Sequence, residues 1–267
     1  MSSLGKIFES GHRKALIAYL TVGYPDVDTT LRLVPLLVQC GCDVVELGIP
    51  FSDPLADGAT IQHASHIALQ NGVTPSVCRE VAAQLFRAVD APLVFMSYYN
   101  PVLHAGLDRF CADAAGAGVS GLIVPDLPAD EGVELEAAGR RHGVDLVYLV
   151  APTTTEARLR IVAGRSRGFL YLVSLTGVTG SRASLDDGLE SFVARTRAVA
   201  RVPLCVGFGI SNPFQAARVA RIADGVIVGS RLLQLVDDDP SLVAVSSFVR
   251  DVRVAVDEAA AAARALR

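Results

Sequence analysis

Short apolar runs alternate with longer amphipathic segments along almost the whole chain. The short runs are rich in Val, Ile and Leu, a composition typical of parallel strands that are covered on both faces. The pattern predicts eight strands, at Ala15 to Thr21, Asp43 to Leu47, Leu93 to Ser97, Gly121 to Val124, Asp145 to Val150, Phe169 to Ser174, Leu204 to Gly207 and Gly225 to Val228.

The longer segments carry apolar residues at i, i+3 and i+4, which is the spacing of one helix face. This spacing predicts helices at Thr29 to Gln39, Pro75 to Val89, Leu107 to Ala117, Asp130 to His142, Glu156 to Ala163, Leu189 to Ala200, Pro213 to Ile222 and Leu242 to Ala265.

The alternation of strands and helices, without a linker or a change in composition, predicts an α/β fold. We expect a single domain over residues 1–267, a (β/α)8 TIM barrel with parallel strands and extra helices. The alternative is an open doubly wound sheet, which would normally place a GxGxxG turn after the first strand. The segment from Thr21 to Pro25 contains no such turn.

Charge and cysteine content narrow the choice of partner and compartment. A net charge of -4, without a cluster of Lys and Arg, argues against nucleic acid or an anionic membrane as the main partner. No apolar run is long enough to span a bilayer. The five cysteines show no CxxC spacing and lie mostly in or beside apolar segments, so we expect reduced core residues in a cytoplasmic protein.

The segment from Val44 to Gln62 concentrates acidic residues in a mostly apolar neighbourhood. Glu46 falls inside a predicted buried strand, where a low dielectric raises the pKa of a carboxyl group towards the range useful for proton transfer. Glu46 is therefore a candidate general acid or base. Asp53 and Asp57 follow on a loop that glycines and prolines make irregular.

These three acidic residues also have purely structural interpretations. Glu46 could pair with a core Arg or Lys, while Asp53 and Asp57 could form ordinary turns. Two aspartates four residues apart also allow a Mg²⁺ site. Magnesium normally recruits further oxygen ligands, and none cluster nearby, so we predict no metal.

Polar residues also stand at the ends of other predicted strands. Tyr98 and Asn100 follow the third strand, Asp126 follows the fourth, and Tyr171 lies in the sixth. Barrel enzymes assemble their sites at the carboxyl ends of the strands, so we expect these residues around one site. Taken singly, each of these residues could also have only a structural role, in a turn or in the core.

Glycine-rich loops follow the last three predicted strands, with the sequences SLTGVTGSRAS, GFGISN and GSR. Glycine lets backbone N–H groups approach an anion, and a helix amino terminus adds its positive end. The candidates for phosphate binding are Gly180, Gly209, Gly229 and Ser230. A plain turn is the alternative for each. The segment from Thr176 to Gly188 lacks an apolar period and is predicted to form a mobile lid.

A series of motifs, in order along most of the chain, resembles the tryptophan synthase alpha chain family. They are TVGYPD, ELGIPFSDPLADGATIQ, YYNP, VPDLP, APT, GVTG, GFGIS and VGS. Two positions depart from the family pattern. Ala59 stands where many members carry Pro, and Leu175 stands where many carry Arg.

The resemblance implies a lyase of L-tryptophan biosynthesis that cleaves indole-3-glycerol phosphate to indole and glyceraldehyde 3-phosphate by retro-aldol chemistry. It implies that Glu46 is the acid and base, and that Asp57 receives the indole N–H. Further substrate contacts are expected from Tyr98, Asn100, Leu127, Tyr171, Phe208 and Ile61.

The resemblance also implies a beta chain as partner, in an alpha2beta2 heterotetramer. Pyridoxal phosphate is expected only in that partner, and no cofactor in this chain. Asp53 is the candidate contact to a cationic group of the beta chain. Three alternatives stay open, namely a stand-alone lyase that releases free indole, a different phosphosugar barrel enzyme, and a non-catalytic regulatory subunit.

Overall fold

The computed structural model describes residues 3–9, 13–174, 188–207 and 209–265. Within these residues, nine parallel strands form a nearly closed barrel surrounded by helices. The strands are β1 (Ala15–Thr21), β2 (Val44–Gly48), β3 (Leu93–Met96), β4 (Val119–Ile123), β5 (Asp145–Val147), β6 (Leu149–Val150), β7 (Leu170–Val173), β8 (Leu204–Gly207) and β9 (Gly225–Val228).

The barrel closes through the segment that the sequence predicted as one strand, Asp145 to Val150. The sheet order is β5-β4-β3-β2-β1-β9-β8-β7-β6, so this segment supplies both of its ends. Tyr148 separates β5 from β6, and its carbonyl still accepts a hydrogen bond from the Tyr171 N–H at 3.0 Å. The prediction of a (β/α)8 barrel is confirmed, and the open sheet is not the fold.

Helices fill the connections between the strands. They are α1 (Ser3–Lys6), α2 (Val27–Gln39), α3 (Ala59–Gln70), α4 (Pro75–Ala88), α5 (Tyr99–Ala105), α6 (Leu107–Gly116), α7 (Val133–His142), α8 (Glu156–Arg165), α9 (Gly188–Arg197), α10 (Pro213–Ile222), α11 (Ser230–Asp238) and α12 (Val243–Ala265), with a 3₁₀ turn at Ala129–Glu131. The sequence predicted eight of the α-helices and missed α1, α3, α5 and α11.

Side-chain caps start several of the predicted helices. The Asp26 carboxylate accepts from the Thr29 N–H at 2.6 Å, so α2 begins two residues before its predicted start. Thr74 caps α4 and Asn212 caps α10, each directly before a proline in the first turn. The proline-opened helices are therefore confirmed.

Buried apolar side chains from strands and helices form one core that extends from α1 to α12. Leu4 of α1 closes the amino end of the barrel, because its side chain occupies the space beside Gly121 and Gly168. All five cysteines are buried and free, as predicted. Among the helices that the structure describes, none is both long and apolar enough to cross a membrane.

Candidate active site

Glu46 lies in the middle of β2, between Tyr19 of β1 and Val94 of β3. Its side chain is fully buried, and neither carboxyl oxygen has a hydrogen-bond partner among the described residues. The alternative of an ion pair with a core Arg or Lys is therefore not observed there. Burial raises the pKa of Glu46 to about 8, so the group holds a proton at neutral pH.

Asp57 lies on the loop between β2 and α3 and is also buried. The Tyr98 hydroxyl donates to its carboxylate at 3.1 Å, and the Gln62 side chain donates to its carbonyl at 2.9 Å. Burial raises the pKa of Asp57 to about 6, against a smaller lowering by the Tyr98 hydrogen bond. Asp57 is therefore mostly ionised at neutral pH, whereas Glu46 is mostly protonated.

Tyr98 holds the Asp57 loop in place. Its hydroxyl accepts from the Ala56 N–H at 2.9 Å while it donates to Asp57. Its ring stacks on Phe51 with centroids 5.2 Å apart. The structure thus gives Tyr98 a positioning role beside its predicted contact with substrate.

Tyr19 lies in the site although the sequence pattern did not predict it there. Its ring lies between Gly48 and Gly229, where a Cβ on either glycine would approach it to 2.4 or 3.2 Å. Burial, followed by the charges of Asp57 and Glu46, raises the pKa of Tyr19 far above its usual value, so the phenol stays neutral. The available signal was a tyrosine in an otherwise apolar strand, but its place opposite Glu46 depends on the strand register.

A cavity of about 220 Å³ opens beside Tyr19. It brings together five residues that the sequence predicted for the site, Ile61, Tyr171, Gly209, Gly229 and Ser230. Residues that the sequence did not predict complete the described lining, namely Tyr19, Met96, Ile210, Ser211, Ile227, Arg231 and Gln234. Gly209 and Ser211 follow β8, and Gly229 and Ser230 follow β9, so pairing of these two strands brings the four residues together as the glycine and serine end of the cavity.

The glycine and serine end has the features of an anion site. Gly229 precedes α11 without a side-chain cap. The Leu232 N–H donates to the Gly229 carbonyl at 2.8 Å, so the N–H groups of Ser230 and Arg231 are the ones without an acceptor among the described residues. Gly209 adopts a φ of 79°, a left-handed conformation that favours glycine. A helix amino terminus of this kind favours a negatively charged group.

Other predicted site residues lie elsewhere. Leu127 lines a separate cavity of about 360 Å³ between the loops that follow β4 and β6. Asn100 is exposed in the first turn of α5. Gly180 and Phe208 lie outside the described residues, as do Leu175 and residues 176–187 of the predicted lid.

The aspartates near these loops have local partners. Asp126 accepts from the Tyr99 N–H at 2.8 Å, which joins the loop after β4 to the start of α5. Asp53 is exposed and accepts from the neighbouring Ser52 hydroxyl. Within the described parts of the chain, no three His, Cys, Asp or Glu side chains come together as a metal-ligand set.

These features define a class of protein. It is a parallel barrel with a protonated carboxyl group inside β2 and an ionised one on the loop that follows, beside a cavity lined by glycines and an uncapped helix start. Sites at the carboxyl ends of the strands are typical of barrel enzymes. The sequence profile of one family, the tryptophan synthase alpha chain, matches residues 7–263. This match spans nearly the whole chain.

Individual relatives agree with this match. The chain is 58% identical over 257 residues to the tryptophan synthase alpha chain of Dehalococcoides mccartyi, covering 96% of this chain and 100% of the relative. A solved structure of Mycobacterium tuberculosis tryptophan synthase superposes with a TM-score of 0.89 at 40% identity, covering 96% of this chain and 98% of that chain. The alpha subunit from Legionella pneumophila gives a TM-score of 0.87 at 33% identity, with coverages of 97% and 99%.

The chain belongs to the tryptophan synthase alpha chain family. It acts in tryptophan biosynthesis as a lyase, and the reaction of this family is the cleavage of indole-3-glycerol phosphate.

Proposed function

We propose that Glu46 drives the cleavage of indole-3-glycerol phosphate to indole and glyceraldehyde 3-phosphate. The observation that carries this proposal is a fully buried carboxyl group without a hydrogen-bond partner among the described residues, whose pKa burial raises to about 8. A general acid with a pKa near the working pH transfers protons most effectively.

The proposed reaction uses Glu46 twice. Protonated Glu46 first gives its proton to indole C3, which leaves Glu46 ionised and a positive charge on the indole ring. The carboxylate then takes the proton of the glycerol hydroxyl next to that carbon. The C–C bond breaks, its electron pair returns to the ring as indole forms, and the hydroxyl carbon becomes the aldehyde of glyceraldehyde 3-phosphate. Glu46 ends the cycle protonated.

Asp57 supplies the negative charge that this sequence needs at the ring nitrogen. Positive charge develops there when C3 is protonated, and an ionised carboxylate that accepts the ring N–H stabilises it. Tyr98 supports this role because its hydrogen bond favours the ionised form of Asp57. A positioned acid or base accelerates such steps by roughly 10²- to 10⁴-fold.

The cavity suggests how the substrate lies. Ile61 and Tyr171 offer apolar surface for the indole, while Gly209, Gly229 and Ser230 offer backbone N–H groups for the phosphate. Gly180, Phe208, Leu127 and Asn100 remain proposed contacts.

We also propose that the product indole passes to a beta chain in an alpha2beta2 assembly. The loop that carries Asp57 also carries Leu55, whose side chain is 93% exposed, and the exposed Asp53. A single exposed apolar side chain is ordinary on a protein surface, so the proposal rests on the place of Leu55 beside Asp57 on the same loop. Pyridoxal phosphate belongs to the beta chain in this proposal, and this chain needs no cofactor. We propose a cytoplasmic location as well, because five free cysteines fit a reducing compartment.

Measuring indole release from indole-3-glycerol phosphate, with and without the beta chain of the same organism, tests this function. We expect slow release by the chain alone and at least tenfold faster release with the partner. Full activity alone, with no rate change on adding the partner, would replace the proposal with a stand-alone lyase. No release under either condition would leave a non-catalytic regulatory subunit or a different phosphosugar enzyme.

A further inference from the structure

We propose that Arg231 is a cationic contact for the substrate's phosphate, in addition to the neutral N–H groups of the glycine loops. This inference rests on the proposed phosphate position. Among the described residues that line the 220 Å³ cavity, Arg231 is the only charged one. The other groups at that end, Gly209, Ser211, Gly229 and Ser230, are uncharged and offset none of a phosphate's charge.

The guanidinium of Arg231 lacks a carboxylate partner within the described residues. Its one described hydrogen bond goes to the neutral side chain of Gln234, at 3.5 Å. The half-buried Arg165 and the buried Arg253, in contrast, each hold a carboxylate within 3.0 Å. Arginine presents five N–H donors in a planar fork that matches phosphate oxygens. A partly buried arginine that faces a cavity with most donors unused is suited to bind an anion.

The position of Arg231 in the first turn of α11 places it in the lining of the same cavity. Arg231 directly follows Ser230, the first residue of α11. Cα–Cβ bonds in a helix tilt towards its amino terminus, so a side chain in the first turn leans towards the exposed N–H groups. The fork and the N–H groups of α11 can therefore contact one phosphate together. Their joint contact is charge-assisted, unlike one made by backbone N–H groups alone.

The contact should affect binding and not chemistry. The phosphate lies away from the bond that breaks, so Arg231 holds the substrate and the transition state equally well. Its loss should raise KM and leave kcat nearly unchanged. Because the attraction is between full charges near the surface, it should weaken as salt is added.

The test compares Arg231→Gln and Arg231→Lys with the wild type by isothermal titration calorimetry, using inorganic phosphate and indole as separate probes. Arg250→Gln is the matched control, because Arg250 is exposed on α12 and the same charge is removed away from the cavity. We expect Arg231→Gln to weaken phosphate binding by about tenfold or more and to leave indole binding within twofold. Arg231→Lys should keep part of the affinity, since it retains the charge but not the fork.

Two further readouts separate the Arg231 contact from general damage. Between 50 and 500 mM NaCl, phosphate affinity should fall more steeply for the wild type than for Arg231→Gln. In steady-state cleavage, Arg231→Gln should change KM and not kcat. Equal phosphate affinities for Arg231→Gln and Arg250→Gln would overturn the Arg231 contact but not the proposed phosphate position. A wild-type chain that binds no phosphate would overturn the proposed phosphate position with it.

Discussion

Glu46 and Asp57 carry the same functional group, yet their surroundings assign them opposite protonation states at neutral pH. The Glu46 carboxyl group is buried away from water and has no hydrogen-bond partner among the described residues. Burial alone therefore raises its pKa to about 8. Asp57 keeps the hydroxyl of Tyr98 as a donor, and its pKa rises only to about 6. At a pH between these two pKa values, Glu46 can give a proton while Asp57 offers a negative charge.

The pH dependence of kcat/KM should report both groups. Asp57 must be ionised, so the rate should rise as pH passes about 6. Glu46 must be protonated in the free enzyme, so the rate should fall as pH passes about 8. Initial rates of indole release between pH 5 and 9 measure this profile.

A matched variant assigns the acidic limb of that profile. Tyr98→Phe removes the hydrogen bond that lowers the pKa of Asp57, so the acidic limb should move to higher pH. The basic limb should stay in place, because the pKa of Glu46 owes its shift to burial. A flat profile from pH 5 to 9 would contradict both assignments.

The sequence located both carboxyl groups because each interrupts a local pattern. Glu46 stands out in a run of apolar residues, and Asp57 stands out on a loop of glycines and prolines. Tyr19 does not interrupt its pattern, and only the pairing of β1 with β2 places it opposite Glu46. Likewise, the hydrogen bond from Tyr98 joins residues 41 apart in sequence, a contact that no local pattern contains.

Three helices near the site that the sequence did not predict, α3, α5 and α11, begin without side-chain caps. Gly58 precedes α3, Tyr98 precedes α5 and Gly229 precedes α11, and none of them caps through its side chain. The usual starting signal, a Ser, Thr, Asp or Asn that accepts from the first turn, is therefore missing. At α11, the proposed phosphate takes the place of that cap.

The start of α3 also explains why Ala59 can replace the proline of many family members. Ala59 is the first residue of α3, a position where proline is well tolerated because its missing N–H would have no partner in the helix. Alanine is the strongest helix former at positions within a helix. The change from the proline that many family members carry therefore keeps the helix start, as expected for a departure that removes no chemical group.

The start of α11 can be tested by charge reversal at Ser230. Ser230→Asp places a carboxylate against the proposed phosphate and should weaken phosphate binding by at least tenfold. An acidic residue in the first turn stabilises a helix, so folding should be preserved. Ser230→Asn is the neutral control of equal size and should weaken binding much less. Calorimetry with inorganic phosphate measures both affinities. If Ser230→Asp and Ser230→Asn weakened phosphate binding equally, the phosphate would lie elsewhere.

The alternation of strands and helices along the chain was sufficient to predict the barrel. The strand count differed by one because Tyr148 divides the segment from Asp145 to Val150, where the barrel closes. Closure depends on pairing between distant strands, which local periodicity does not specify. The continuous core fits the prediction of one domain over residues 1–267, which stays a prediction.

The proposed interface with a beta chain is also a property of the whole molecule. Leu55→Asp should leave folding and the basal rate of indole release unchanged, because the side chain is 93% exposed. It should weaken association with the beta chain by about tenfold or more, measured by co-elution and by activation of indole release. Val254→Asp is the control, because Val254 is an exposed apolar residue on α12, away from the Asp57 loop. If both variants bound the partner like the wild type, Leu55 would lie outside the interface.

Both proton transfers are assigned to buried Glu46, so the turnover of Glu46→Gln, measured alongside its substrate affinity, is the sharpest test of the proposed reaction. Glutamine keeps the shape of the protonated carboxyl but cannot give or take the proton. We predict that kcat for indole release falls by at least a thousandfold, about 4 kcal/mol of barrier, while substrate binding stays within a few fold. Turnover of Glu46→Gln close to that of the wild type would remove Glu46 from the reaction.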